Sequence, residues 1–417
     1  MMRAQVRLEN VKKAALLLVD VALKTPLMRN ENLAQQFESN IVLKREDLQQ
    51  VRSYKIRGAY NKIASLTESE LKQGVVCASA GNHAQGVAFS CFKLKVKGVV
   101  FMPTPTPKQK IEQVKMFGGA FIEIVIVGDT FDDAYACANE YCTDNKMTFV
   151  HPFDDEKVIE GQATIALEIL EQSKNEIDYL FVPVGGGGVA SGISSIFNEL
   201  SPNTKVIGVE PYGAPSMSTS LEKGVNVKLD YIDKFIDGAS VQRVGDLNFD
   251  LCQQYLSSMS CVKEGEVCQT ILDLYNKEAI VVEPAGALSI AVLNQFKDEI
   301  RGKNVVCLVS GSNNDITRTE EIKERALLHA NLKHYFIISF PQRAGALKEF
   351  VADILGPNDD ITHFEYTKKH NRNMGPAVVG VELQNPSTLK ALEKRMKDRG
   401  FFGEYLNDKQ DLFQFLV

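Results

Sequence analysis

Short apolar runs alternate with stretches of helical period over roughly the first 320 residues. Segments 74–78, 98–102, 121–127, 179–184, 206–210, 279–283 and 305–309 read as buried strands. Helix-period segments at 108–117, 131–142, 161–172, 189–200 and 284–296 lie among them. This alternation predicts parallel sheets covered on both faces. The strands suffice for two sheets, with a ligand cleft between them. The tail changes pattern: strand 334–340, helix 344–355, strands 361–369 and 376–383, helix 387–399, and a last strand at 404–407 or 413–417. That β-α-β-β-α-β order is the ferredoxin-like α+β unit. The charged segment 318–333 predicts a connecting helix, and no low-complexity tract or short repeat is found.

Composition narrows the function. The chain is 44% apolar and 24% charged, with net charge −6, which disfavours nucleic-acid or anionic-membrane partners. Cys77, Cys91, Cys137, Cys142, Cys252, Cys261, Cys268 and Cys307 form no Cys-x-x-Cys and have no histidine at zinc spacing, so no metal site is expected. They fit reduced thiols in a cytoplasmic enzyme. Lys12-Lys13 before the apolar 14–19 resembles a secretory leader, but Asp20 interrupts the run and no small-residue cleavage site follows. An amphipathic helix is the expectation there, and no stretch reaches the ~20 apolar residues of a membrane span.

Four phrases carry candidate chemistry. Gly185, Gly186, Gly187 and Gly188 follow a strand and open a helix, where converging backbone N–H groups favour an anion such as a phosphate. Gly185, Gly187 and Ala190 also satisfy a dinucleotide fingerprint, with Glu210 as a ribose-binding acid. That rival, a nicotinamide-dependent oxidoreductase, leaves Lys55 unexplained. The turn Ser79, Ala80, Gly81, Asn82, His83 offers N–H groups to a carboxylate and an amide donor to a phenolate, although Asn82 and His83 could simply cap the next helix. Ser310 closes the run 305–309. Lys55 is the candidate for the chemistry itself. Flanked by Arg57 and followed by Gly58-Ala59, it is expected to be partly desolvated and pushed toward the neutral amine. Neutral lysine forms imines with aldehydes, the way pyridoxal 5'-phosphate (PLP) is held.

These phrases, in order, resemble the threonine dehydratase (threonine ammonia-lyase) family of fold-type-II PLP enzymes. The matching pieces are Thr25-Pro26-Leu27, Lys44 to Gln49, Ser53 to Tyr60, Ser79 to Gly86, Glu160-Gly161-Gln162, the glycine quartet, Gly208 to Pro211, Glu283 to Ala287 and Ser310-Gly311. Phe340 to Leu347, Leu355-Gly356-Pro357 and Ile361 to Tyr366 resemble the ACT-like regulatory domain of biosynthetic members, present once.

The resemblance implies a tryptophan-synthase-β-like catalytic domain over 1–325, made of two open parallel-sheet α/β/α subdomains with the small one at about 50–150. An ACT-like domain would follow over 333–417. It implies that Lys55 binds PLP as a Schiff base and moves the α-proton, and that Asn82 bonds the cofactor's 3-hydroxyl. Gly185 to Gly188 would hold its phosphate, Ser310 would face its ring nitrogen, and Ser79 to His83 would take the substrate carboxylate. Arg343, Gly345, Phe364 and Tyr366 are the implied regulatory residues. The implied activity is deamination of L-threonine, and of serine, in a homotetramer regulated by isoleucine, valine or both. A serine racemase or serine dehydratase of the same fold, a threonine synthase and a non-catalytic amino-acid sensor are the alternatives.

Overall fold

The structure, a computed structural model, describes residues 5–367 and 373–409. It divides into two compact units between Thr317 and Arg318.

The first unit holds two sheets. Ten strands run in chain order: β1 (Leu27–Arg29), β2 (Asn40–Arg45), β3 (Val75–Ala78), β4 (Gly98–Met102), β5 (Ile122–Ile126), β6 (Thr148–Phe149), β7 (Tyr179–Pro183), β8 (Lys205–Pro211), β9 (Ser258–Val262) and β10 (Asn304–Val309). Six form the sheet β1-β2-β10-β7-β8-β9, parallel except at the β1–β2 edge. Four form the all-parallel sheet β5-β4-β3-β6. Central strands such as β3, β4 and β7 are buried throughout, as parallel strands covered on both faces must be. The helices Glu156–Gln172 and Gly188–Leu200 pack Ile159, Ala163, Ile193 and Phe197 into the larger core. The helix Asn82–Leu94 packs Ala84, Val87, Ala88 and Cys91 into the smaller one. The N-terminal run forms the helix Leu8–Leu17, which buries Val11 and Ala14.

One expected strand is absent. Segment 279–283 connects two helices: Ala279 takes a left-handed φ of 54° at the end of Glu264–Glu278, and Pro284 opens Pro284–Ala291. Val281 is half exposed, so its apolar character does not report a buried ladder. Strands β1, β2, β6 and β9 were not among those expected, although β2 carries the apolar run Ile41-Val42-Leu43. β2 carries Lys44, which is fully buried against compensating partners, and β9 is a serine-containing edge.

The second unit begins with the helix Thr319–His329. Strands β11 (Lys333–Pro341), β12 (Asp360–Tyr366), β13 (Met374–Glu382) and β14 (Phe402–Tyr405) form the antiparallel sheet β12-β13-β11-β14. The helix Leu389–Asp398 and the turn-and-helix segment from Ala346 to Ile354 supply the apolar partners of this sheet around Phe336, Phe350, Leu392 and Phe401. The β-α-β-β-α-β order is as expected. Its last strand is the nearer candidate, and 413–417 lies outside the described residues.

Candidate active site

The carboxyl ends of β3, β7 and β10 lead into the Ser79 turn, the glycine quartet and Ser310 respectively. Loops at such strand ends are where open parallel sheets bind ligands.

Lys55 opens the helix Lys55–Ala64. The residues before it are stitched to the end of β10. Ser53 bridges Gly311, Tyr54 N donates to Ser310 O at 3.2 Å, and Ser312 N donates to Arg52 O at 2.9 Å. Gly86 lies so close that a β-carbon there would stand 3.1 Å from the Lys55 carbonyl. The Lys55 amine turns inward, with Nζ donating to Pro152 O at 2.8 Å. Burial lowers its pKa to about 8, and the nearby Glu283 carboxylate pulls the other way.

Arg57 has no part in that shift, contrary to the expectation from its position in the motif. Its guanidinium points into a buried cluster, donating to both oxygens of Glu46 at 2.8 Å and to Glu168 at 2.7 and 3.0 Å. Desolvation, not a neighbouring cation, favours the neutral lysine.

Gly187 has φ +96°, a conformation that side-chain-bearing residues rarely adopt. Phe153 lies across the loop. A β-carbon on Gly186 would fall 2.3 Å from its ring, and one on Gly188 would fall 2.9 Å from its carbonyl oxygen. None of the backbone N–H groups of Gly185 to Gly188 donates to another group among the described residues. Pro152 and Phe153 are consecutive, so one bend of chain brings the Lys55 amine beside the quartet. Neither residue was flagged by a sequence motif.

In the Ser79 to His83 turn, Gly81 N donates to Ser79 Oγ at 3.3 Å. Asn82 Nδ2 donates to Glu283 Oε1 at 2.7 Å, and its Oδ1 accepts from Asn313 Nδ2 at 2.6 Å. An amide nitrogen carries two hydrogens, so one donor of Asn82 remains. Burial, with the charge of Asp237, pushes the Glu283 carboxyl up to about 7 against the pull of the Asn82 bond. His83 is buried, with Nε2 2.8 Å from Val150 O, and burial together with the Lys55 charge lowers its pKa to about 3. It is therefore a neutral imidazole at physiological pH. Its Nδ1 has no partner among the described residues. Ser310 is buried at the end of β10.

Comparison with known proteins gives the family of the chain. Residues 19–311 match the pyridoxal-phosphate dependent enzyme family, and 324–416 match the C-terminal regulatory domain of threonine dehydratase. The chain is 52% identical over 413 residues to the biosynthetic L-threonine dehydratase IlvA of Halalkalibacterium halodurans, covering 99% of this chain and 100% of that one. It is 53% identical over 412 residues to the protein of that name from Bacillus subtilis, covering 99% and 98%. The chain belongs to the threonine dehydratase family. Among solved structures, the processed threonine deaminase isoform 2 of Solanum lycopersicum matches with TM-score 0.73 at 39% identity, covering 78% of this chain and 95% of that one. A serine racemase from Dictyostelium discoideum matches with TM-score 0.69 at 32% identity, covering 75% and 99%.

Membership makes PLP the cofactor, and the residues present fit it. The quartet offers unpaired N–H groups at a helix start to a phosphate, without β-carbons in the way. Pro152 and Phe153 bring the Lys55 amine beside this loop, and burial lowers its pKa to about 8. The nicotinamide alternative loses its second support as well. Glu210 accepts from Met217 N at 2.7 Å and Ser218 N at 2.9 Å, holding the start of the helix Ser216–Lys223.

Because only the neutral amine captures an aldehyde, cofactor-stripped protein should take up PLP faster as pH rises through about 8 and level off above it. Stopped-flow absorbance checks this, and a flat profile across that range would exclude Lys55 as the capturing group.

In the second unit, Phe340 brings Phe364 and Tyr366 together, with ring centroids 5.9 and 5.0 Å away. Gly345, φ +83°, precedes the helix Ala346–Glu349, and Arg343 pairs with Glu349. No helix among the described residues is long and apolar enough to cross a membrane.

Proposed function

We propose that the chain deaminates L-threonine to 2-oxobutanoate and ammonia, the first step of isoleucine biosynthesis, and converts serine to pyruvate in the same way. The observation that carries this is the buried Lys55 amine, its pKa lowered to about 8, held by Pro152 O within one bend of the glycine quartet. Bound PLP supplies the electron sink for the charge left at the substrate Cα.

The chain's own groups do the rest. Lys55 Nζ would hold the cofactor and, when free, would take the α-proton; proximity makes it an effective base. Gly185 to Gly188 hold the phosphate through backbone N–H groups. The remaining Asn82 N–H would be the donor for the cofactor's 3-oxygen. The Ser79 to His83 turn would receive the substrate carboxylate, and the Ser310 hydroxyl would serve the ring nitrogen. A serine hydroxyl would not keep that nitrogen protonated as a carboxylate would, and the milder electron sink so supplied would suit elimination over a long-lived carbanion. An assay of purified protein with threonine for keto acid and ammonia tests the reading. Racemised amino acid without keto acid would replace it with the serine racemase alternative.

Regulation belongs to the second unit. Its family match and the full-length coverage of the bacterial dehydratases support binding of isoleucine, valine or both around Arg343, Gly345, Phe364 and Tyr366. The working form in this reading is a cytoplasmic homotetramer. A chain ending at Thr317 should keep turnover and lose inhibition by isoleucine, as read by an inhibitor titration. Surviving inhibition would move the effector site into the first unit.

A further inference from the structure

Asn248 is fully buried at the first turns of the helix Asp246–Tyr255 and belongs to no motif of the sequence. Its Nδ2 donates to Phe153 O and to Gly186 O, both at 3.0 Å. Its Oδ1 accepts from Ser191 Oγ at 2.7 Å. Carbonyl oxygens only accept, so the two of them fix which end of the amide is nitrogen, and both of its hydrogens are used. Gly186 O takes a second bond from Gly245 N at 3.1 Å.

We propose that Asn248 is a positioning residue that aims the Gly187 N–H into the phosphate cradle. The inference rests on the proposal that Gly185 to Gly188 hold the cofactor's phosphate. In a planar trans peptide, the carbonyl and the next N–H point in opposite directions. Holding Gly186 O against Asn248 and Gly245 therefore turns the Gly187 N–H to the other side of the loop. There it has no partner among the described residues. The positive φ of Gly187 leaves this peptide free to rotate in a way a side-chain-bearing residue would resist, so an external restraint is needed. The same amide holds Phe153 O, and the Phe153 ring covers Gly186. A preoriented donor avoids reorganisation when the anion binds.

The test is equilibrium binding of PLP and of pyridoxal, which lacks the phosphate, to cofactor-stripped protein, followed by absorbance. Wild type should prefer PLP. Asn248→Leu keeps the side-chain shape without donor or charge. It should lose about tenfold in PLP affinity, with pyridoxal affinity within about twofold of wild type. Ser191→Ala frees the amide to rotate and should move the ratio the same way by about threefold, which keeps the test valid if the leucine variant does not fold. A wild-type ratio in the folded variants, or an equal loss for both ligands, would overturn the role of Asn248 alone. A wild type without preference for PLP would overturn the cradle assignment and this inference with it.

Discussion

Lys55→Ala should leave a folded protein that no longer turns over threonine. The expected fall is at least about 10⁴-fold, because one change removes both the covalent anchor and the base at Cα. The side chain makes a single hydrogen bond, to Pro152 O, so little stability is at stake. The absorption band of lysine-bound cofactor should vanish. PLP should still bind reversibly, since the glycine quartet and Asn82 are untouched. Lys55→Arg should fail equally, because a guanidinium stays protonated and forms no imine. A small primary amine added to Lys55→Ala should restore part of the turnover by supplying the missing base. Turnover within tenfold of wild type would end the assignment.

Arg57→Met should act on stability instead. Arg57 stands between Glu46, fully buried, and Glu168, while Lys44 donates to Glu168, to Thr25 O at 2.6 Å and to Gln172 at 3.0 Å. Burial alone would raise the Glu46 pKa, but the Arg57 charge and hydrogen bonds outweigh it and hold the carboxyl below its usual range. Removing the guanidinium takes the main counter-charge from a buried carboxylate and leaves only the Lys44 charge and the Thr25 and Gln49 hydrogen bonds, at a cost of about 3–5 kcal/mol. The pH dependence gives a signature. In wild type, the Glu46 contribution is present above the unfolded carboxylate pKa and is lost as pH falls through the lower folded value. In Arg57→Met the folded value lies above the unfolded one, so the variant recovers as pH falls. The stability gap should therefore narrow in acid, as urea titrations at several pH values would show. A gap independent of pH would mean that Arg57 acts through packing alone.

Much of the site could be read from the chain because its parts are continuous. Ser79 to His83, the glycine quartet and Ser310 each follow a strand whose apolar run is visible by itself. Position at the end of such a strand follows from local sequence. Partners contributed from elsewhere left no signal. Pro152, Phe153, Glu283, Asn313 and Asn248 matter through the atoms they present after folding, and two of the contacts from Pro152 and Asn248 use backbone carbonyls, which every residue has. Arg57 shows the reverse error. Proximity in sequence suggested an influence on Lys55, but the helix points the two side chains to different partners.

Alternating apolar and helical periods were sufficient to determine two parallel sheets and a ferredoxin-like tail, and glycine where only a bare backbone serves pointed to the residues proposed to hold an aldehyde and a phosphate. What folding alone decided is direction and environment. The lysine pKa is lowered because the amine is desolvated beside Pro152 O, and the Gly187 N–H is turned outward because the distant Asn248 side chain holds the carbonyl of the same peptide. Solvation and orientation depend on every group that surrounds an atom, and those groups are brought together only by the tertiary structure.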